Sequence, residues 1–516
     1  MTDISSPNGA GAPPAPSGST PADQGLDRRL LLIASVVVLG SVLVILDATI
    51  VNVALQALAT DLDAPLTTIQ WVVTGYTLAL ATVIPLSAWT IDRFGAKRTF
   101  LASIFLFVLG SALAGAAWNV ESLIALRVLQ GFGGGLLSPV GMTILTRAAG
   151  PARVGRVMAV MGVPMLLGPI CGPILGGWLV DDFSWRWIFF INVPVGAAAI
   201  YLAWRVLDND ESQARYSIDW LGVVLLSPGL AAVIYGFAKS GEEGTFLHAQ
   251  VLVPVVLGAA ALAAFVVHAL HTAAPLVDLK LFANRVFTAA TSTLALLIIS
   301  VFGGMLLLPL YLQVVRGESA MDTGLLLAPQ GIGAMVAMPL AGVLADRTGV
   351  GRIVPFGLAA VAVSFLGLTQ IEGDTSYWLL AGLLFLMGVG MGFSMMPTFT
   401  GAMQTLRRVD VANASTALNI VQQVAASIGT AVLSVLLARS IADRTGGGGG
   451  IGESAAVSEE QRAQAAPLLA EAFGSTFWWA LALVVIAFVV ATVLLPKRKP
   501  APVDEGPASE PVVLMH

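Results

Sequence analysis

The sequence predicts an all-α membrane protein in which many helices form two related bundles. Three observations support this prediction: long apolar segments, few charges and an internal repeat. Of the 516 residues, 57% are hydrophobic and only 11% are charged, whereas soluble domains carry about 25% charged residues. An apolar segment of about 20 residues can cross a bilayer as a helix. We therefore expect the chain to cross a membrane repeatedly.

Fourteen apolar segments have the length of membrane-spanning helices. The sixth and seventh have the least hydrophobic pattern, so twelve or thirteen spans are the alternatives. The predicted spans are 30–54, 70–91, 99–118, 120–144, 157–180, 187–206, 218–238, 250–271, 286–312, 325–345, 353–371, 377–402, 412–438 and 474–495.

The basic residues predict the orientation of these spans. With the first residue in the cytoplasm, 19 of the 26 lysines and arginines fall on the cytoplasmic side and six fall on the other side. Cytoplasmic loops are enriched in basic residues, so both termini are expected to be cytoplasmic.

An internal repeat predicts the domain organisation. The segment Asp92–Arg98 recurs 254 residues later as Asp346–Arg352, and internal repeats are typical of secondary transporters. The offset leaves room for two extra spans between two six-helix bundles. The expected divisions are a disordered cytoplasmic tail (1–28), an N-terminal six-helix bundle (29–206), two inserted helices (207–280), a C-terminal six-helix bundle (281–496, with a flexible external loop at 440–474) and a second cytoplasmic tail (497–516).

Two charged residues fall inside predicted spans: Asp47 in the first and Arg127 in the fourth. Charges within a membrane face protein or water and indicate function. Because burial favours the neutral form of a carboxyl group, Asp47 is predicted to take up and release a proton. Both residues lie about 10 Å below the outer surface, so they are able to pair. A static structural ion pair is the alternative.

The fifth predicted span combines regularly spaced glycines with prolines. Its glycines recur every four residues and allow close approach of a neighbouring helix, while the prolines kink or soften the helix. We interpret this helix as a gate or pivot, with tight packing alone as the alternative. The residues are Gly168, Pro169, Gly172, Pro173, Gly176 and Gly177.

The repeated motif lies at the predicted cytoplasmic edge, after the second and tenth spans. Its glycine supplies a turn conformation that other residues adopt reluctantly. We predict a gating loop that locks helices together. The alternative is that the basic residues only hold the loops inside. The residues are Asp92, Arg93, Gly95, Lys97 and Arg98, with Asp346, Arg347, Gly349 and Arg352 in the second half.

Polar and aromatic residues inside other spans are candidates for a substrate cavity. The methionine-rich segment 387–403 could add an adaptable apolar wall. Packing between helices or against lipid is the alternative for each residue. The candidates are Trp71, Tyr76, Tyr311, Gln422 and Gln423.

The sequence contains no enzyme motif. No P-loop is present, so ATP is not the expected energy source, and the glycine run 131–135 lies in a span, where it favours helix packing. Cys171 is the only cysteine, which excludes an intrachain disulfide, and four scattered histidines predict no metal site. Neither a cofactor nor a nucleic-acid partner is expected.

Four segments together resemble the major facilitator superfamily, and within it the fourteen-span drug:proton antiporters of the EmrB/QacA type. They are LDATIVNVAL around Asp47, the loop Asp92–Arg98, LIALRVLQGFGGG around Arg127, and GPICGPILGG in the fifth span. Ala88 and Thr90 depart from the usual glycine and leucine of the loop motif, so helix contacts there can differ. The resemblance covers residues 30–495 and implies the major facilitator fold.

The resemblance implies efflux of hydrophobic or cationic compounds across a bacterial plasma membrane in exchange for protons. Asp47 would carry the proton, Arg127 would respond to its charge, and the glycine–proline helix would seal one face as the other opens. The alternatives are a dedicated exporter of an endogenous metabolite or antibiotic and, less favoured, proton-coupled uptake. The protein is expected to act as a monomer with a small-molecule substrate, protons and the bilayer as partners.

Overall fold

Helices account for all of the regular structure that the described residues contain. A computed structural model describes residues 27–150, 153, 157, 171–172, 175–180, 182–209, 218–272, 275–318, 320–445 and 459–497. Thirteen helices in these ranges are long and apolar enough to cross a membrane. The all-α prediction is therefore confirmed.

The helix bounds follow the apolar segments closely, with short breaks at Pro85 and before Pro194. The helices are Arg28–Asp61 (α1), Leu66–Ile69 (α2), Trp71–Val83 (α3), Ser87–Phe94 (α4), Ala96–Gly115 (α5), Val120–Ala149 (α6), Trp187–Phe190 (α7), Asn192–Val206 (α8), Trp220–Glu243 (α9), Ala249–His271 (α10), Arg285–Leu310 (α11), Ala320–Thr348 (α12), Val350–Leu368 (α13), Tyr377–Gln404 (α14), Val411–Thr445 (α15) and Glu459–Leu494 (α16).

Each of the thirteen helices coincides with a predicted span. The sixth and seventh predicted spans both form helices, so twelve spans is too few. The fifth, 157–180, lies mostly outside the described residues, although 171–172 and 175–180 are helical. Residues 440–445 and 459–474 of the predicted external loop are helical, because α15 extends to Thr445 and α16 begins at Glu459, while 446–458 lie outside the described residues. The hydroxyls of Ser440 and Ser475 are 2.8 Å apart and hold these two ends together.

The ends of the long helices meet at two faces. We call the face that carries Arg29, Arg93 and Arg352 the basic face. There Arg29 donates to Asp208 at 2.6 Å, which joins the start of α1 to the end of α8. At the opposite face, Asp61 accepts hydrogen bonds from Trp185 Nε1 at 2.7 Å and Arg186 Nη1 at 3.1 Å.

The inserted pair α9–α10 packs beside the junction of the two halves. Helix α9 contacts α3 of the first half and α15 of the second. At the opposite face, Trp71 of α3 stacks on Tyr235 of α9 with 5.8 Å between ring centroids. Helix α9 thus bridges both bundles.

Candidate functional site

The two charged residues predicted inside the membrane form a direct ion pair. Arg127 Nη1 lies 2.6 Å from Asp47 Oδ2, and both side chains are completely buried. The contact joins α1 to α6 in the first half. The equal depths estimated from the sequence therefore correspond to a real contact.

Two neutral amides complete the surroundings of the Asp47 carboxylate. Gln130 Nε2 donates to Asp47 Oδ1 at 2.8 Å, and Asn192 Nδ2 donates to the same oxygen at 3.1 Å. All three neighbours of the carboxylate present N–H groups, so its two oxygens accept three hydrogen bonds.

The position of Asn192 is itself fixed by a hydrogen-bonded chain. Its amide also donates to Ser111 Oγ at 3.0 Å, and Ser111 Oγ donates to the Phe189 carbonyl at 2.9 Å. Asn192 begins α8 directly after a break in the sixth span. The break thus brings both a side chain and a backbone carbonyl to the site.

Arg127 is held by neutral groups on its other sides. Its Nε donates to the Val72 carbonyl at 3.1 Å, and its Nη1 also donates to Gln130 Oε1 at 2.8 Å. The guanidinium carbon lies 4.0 Å from the centroid of the Tyr76 ring, a cation–π contact that strengthens where water is excluded. Among the described residues, Arg127 Nη2 and the Tyr76 hydroxyl have no hydrogen-bond partner.

Sequence reasoning missed Gln130, Asn192 and Ser111. Gln130 follows Arg127 by three residues and therefore shares its helix face, which is a signal that the sequence did contain. Asn192 and Ser111 come from other helices, so only the tertiary structure brings them to Asp47.

The glycine run in α6 allows three helices to meet at the site. A β-carbon on Gly131 would lie 2.5 Å from the Tyr76 carbonyl oxygen, and one on Gly133 would lie 2.4 Å from the Phe107 backbone nitrogen. Glycine therefore lets α6 touch the backbones of α3 and α5. This agrees with helix packing as the interpretation of residues 131–135.

The glycine–proline helix contacts α1 next to the ion pair. Gly172 packs on Thr49, two residues after Asp47, and Gly176 is also buried. Gly177 has no atom within 4 Å of the position of its missing β-carbon. The predicted residues Gly168, Pro169 and Pro173 lie outside the described part of the chain.

The two repeated loops have the same backbone geometry. Gly95 has a φ of 86° and Gly349 a φ of 88°, a region that favours glycine. Each glycine ends one helix and starts the next. Arg93, Arg98, Arg347 and Arg352 are exposed at the basic face, Asp92 and Lys97 are partly buried, and the side chain of Asp346 lies outside the described atoms. The turn geometry is thus established, while a gating role stays a prediction.

The predicted substrate residues lie in separate places. Trp71 is 42% exposed at the opposite face, whereas Tyr76 is buried against Arg127. Tyr311 is fully buried in the second half and donates to the Glu372 carbonyl at 2.5 Å. Gln422 and Gln423 are partly buried on α15, where Gln422 donates to the Leu418 carbonyl at 3.2 Å. The described contacts place Trp71, Tyr76 and Tyr311 in three different surroundings, and a shared substrate cavity stays a prediction.

Two hydrogen bonds connect the halves near the basic face. The hydroxyls of Ser87 and Thr416 are 2.6 Å apart, and Ser138 Oγ donates to Asn419 Oδ1 at 2.8 Å. Ser87 and Thr416 are completely buried. In this conformation α4 and α6 are therefore closed against α15 at the basic face.

No group of three or more acidic, histidine or cysteine side chains in the described ranges could hold a metal ion. The buried cluster is instead a charge pair surrounded by hydrogen-bond donors. Such a cluster can change its contacts when one proton binds or leaves.

Comparison with known proteins identifies the family. Residues 37–430 match the model of the Major Facilitator Superfamily. A multidrug resistance protein B homolog of Mycobacterium tuberculosis (strain H37Rv) is 44% identical over 94% of this chain and 93% of its own length. The multidrug export protein EmrB of Escherichia coli K12 is 32% identical over 79% of this chain and 80% of its own.

Solved structures agree on the fold. The chain matches the proton:xylose symporter XylE with a TM-score of 0.60 at 13% identity, covering 91% of this chain and 96% of that one. A bacterial homologue of the iron transporter ferroportin, in an outward-facing state, matches with a TM-score of 0.57 at 15% identity, covering 89% of this chain and 98% of that one. The chain therefore belongs to the major facilitator superfamily of membrane transporters, with EmrB-type multidrug exporters among its relatives.

Proposed function

We propose that the protein is a multidrug exporter that expels hydrophobic or cationic small molecules in exchange for protons. The names of the related multidrug resistance and export proteins support the cargo class. The observation that carries proton coupling is the buried pair of Asp47 and Arg127. Its carboxylate belongs to a cluster whose members come from five helices, α1, α3, α5, α6 and α8.

Protonation of Asp47 would change every contact in the cluster. A neutral carboxyl group no longer balances the charge of Arg127, and one of its oxygens becomes a donor facing donor groups. Arg127, Gln130 and Asn192 must then reorient, which loosens α1 from α6 and α8. Gly172 packs against Thr49, which follows Asp47 by two residues. This movement would therefore also reach the glycine–proline helix.

The closure at the basic face indicates which conformation of the transport cycle the structure represents. Both termini are proposed to be cytoplasmic, as the distribution of basic residues indicates. The Ser87–Thr416 and Ser138–Asn419 contacts then close the cytoplasmic side. Opening the cytoplasmic side would break both bonds and turn the two halves about the central site.

Gradient-driven transport in proteoliposomes tests this proposal. Asp47→Asn keeps the shape of the side chain and removes its charge change. We expect it to abolish efflux driven by a pH gradient while exchange of cargo down its own gradient continues. Asp182→Asn, at an exposed position, is the control and should keep native efflux. Efflux by Asp47→Asn at the native rate would reject proton coupling through this residue.

The same vesicles separate the alternatives. A dedicated exporter would move one endogenous metabolite and ignore a panel of cationic dyes. Proton-coupled uptake would move cargo across the membrane in the same direction as the protons, whereas antiport would move it in the opposite direction. We expect several unrelated dyes to move against the proton flux.

A further inference from the structure

A cavity of about 310 Å³ lies between the inserted helices and the second half. Its walls come from α9, α10, the segment that leads to α11, α11 itself and α15. Every residue that lines it is apolar, including Leu226, Phe265, Phe282, Ala295 and Ile420. Apolar cavities of this kind exclude water and take up apolar groups.

The cavity lies at acyl-chain depth in the half of the bilayer next to the basic face. Leu226 is six residues from the start of α9, and Phe265 is six residues from the end of α10. At 1.5 Å per residue, each lies about 9 Å from its helix end. The wall residue Val266 is 43% exposed. The surroundings at this depth are lipid chains.

Positive charge lies at the polar edge of the cavity. Lys280 and Arg285 are exposed on the segment whose Leu279 and Phe282 form the cavity wall. Three acidic residues are nearby. Asp278 Oδ1 accepts from the Lys280 backbone at 2.9 Å. The other two are less accessible: the Asp219 side chain is 6% exposed and lies 2.8 Å from His268, and the Asp410 side chain is 25% exposed and lies 2.9 Å from Arg407. The side chains that this edge exposes most are therefore basic, and they attract an anion.

We propose that this cavity binds an acyl chain of an anionic phospholipid from the leaflet at the basic face. The chain would fill the apolar cavity, and the phosphate would lie near Lys280 and Arg285. Lipid chemistry matches both parts of the site, whereas a free phosphate cannot fill the cavity and a neutral hydrocarbon does not use the charges.

Helix α15 connects this lipid site to the closure of the two halves. Ala417 and Ile420 line the cavity, while Thr416 and Asn419 hydrogen bond to the first half. The residues of the two pairs alternate along α15, so that one pair contacts the cavity and the other contacts the first half. A bound chain would pack against the cavity side of α15 and favour the state closed at the basic face.

Lipid titration of purified, delipidated protein tests the proposal. Native mass spectrometry would count bound lipids, and thermal unfolding would report their effect. For the native protein we expect one retained phosphatidylglycerol and a raised unfolding temperature, with weaker effects of phosphatidylcholine. Ala295→Phe fills the cavity and should lose both. Ala264→Phe adds the same ring at an exposed position of α10 and should behave like the native protein.

A second pair of variants tests the headgroup contact without changing the apolar wall. Lys280→Gln with Arg285→Gln should remove the preference for phosphatidylglycerol while chain binding continues. Lys497→Gln, an exposed lysine at the same face, should keep the preference. Equal lipid retention by Ala295→Phe and the native protein would overturn the site. If Ala295→Phe lost the binding of a transported dye but retained lipid, the cavity would instead be a cargo site.

Discussion

Thr49 and Gly172 are in such close contact that no side chain fits between them. A β-carbon on Gly172 would lie 2.1 Å from Thr49 Oγ1 and 2.6 Å from Thr49 Cβ. The Thr49 hydroxyl already donates to carbonyls of its own helix, Ile45 at 3.0 Å among them. The glycine–proline helix is thus anchored on α1 beside the buried carboxylate Asp47.

Replacing Gly172 with alanine should impair transport by forcing these two helices apart. Overpacking of this kind costs about 1–3 kcal/mol, so membrane insertion should continue with a lower unfolding temperature. Efflux in proteoliposomes should fall because the displaced α1 carries Asp47. Gly177→Ala is a matched control, since nothing lies within 4 Å of its β-carbon position. Equal losses in both variants would contradict a specific role for the Thr49 contact.

Removing Arg127 should destabilise the protein more than removing both charges. Arg127→Ala leaves the Asp47 carboxylate buried without its cation, which costs about 3–5 kcal/mol. Arg127→Gln combined with Asp47→Asn leaves no buried charge and should recover most of the unfolding temperature. Gradient-driven efflux should be lost in both. If the double variant is no more stable than Arg127→Ala, charge imbalance is not the cause.

Asn192→Ala should lower gradient-driven efflux and the unfolding temperature. The Asp47 carboxylate loses one of its three donors and the Ser111 hydroxyl loses its Asn192 partner, and a buried polar group left without its partner costs about 1–3 kcal/mol. Ser111→Ala should produce a smaller loss of efflux, because it only frees Asn192 to reorient. Ser103→Ala removes a buried hydroxyl of the same helix as Ser111 that bonds to the Thr99 carbonyl. That control should lower stability at most and keep native efflux, and a loss as large as that of Asn192→Ala would contradict a specific role for Asn192.

Acid should weaken the contact between α1 and the start of the sixth span. The hydrogen bond from Trp185, followed by that from Arg186, lowers the pKa of Asp61 below 3.8. A group whose pKa is lowered by folding stabilises the protein above its unfolded pKa and loses this contribution as the pH falls through the folded value. Below about pH 4, Asp61→Asn should therefore flatten the decline of the unfolding temperature. Asp63→Asn, in the same turn, should reproduce the native decline.

Joining the two halves at the basic face should stop transport reversibly. Ser87→Cys with Thr416→Cys places two thiols where hydroxyls are now 2.6 Å apart. Oxidation should lock the closed state and abolish efflux, and a reductant should restore it. Either single cysteine variant should be insensitive to the oxidant. Full efflux by the crosslinked double variant would show that this contact does not open during transport.

The sequence by itself determined where the helices lie and which two charged residues fall within apolar segments. Bilayer thickness sets the length of an apolar helix, so thirteen described helices match predicted spans. A charge in hydrocarbon is costly, so Asp47 and Arg127 were conspicuous in apolar surroundings. Their similar depths sufficed to predict that they could pair.

Only the tertiary structure decided which neutral groups surround that pair and where the cavities lie. Asn192 and Ser111 are ordinary polar residues in sequence, and their helices reach Asp47 only through packing. Likewise, Trp71, Tyr76 and Tyr311 share a chemistry but point to three different environments. Length and polarity are local properties that the chain carries residue by residue. Contacts between distant helices depend on how their side chains fit together, and no single segment encodes that fit.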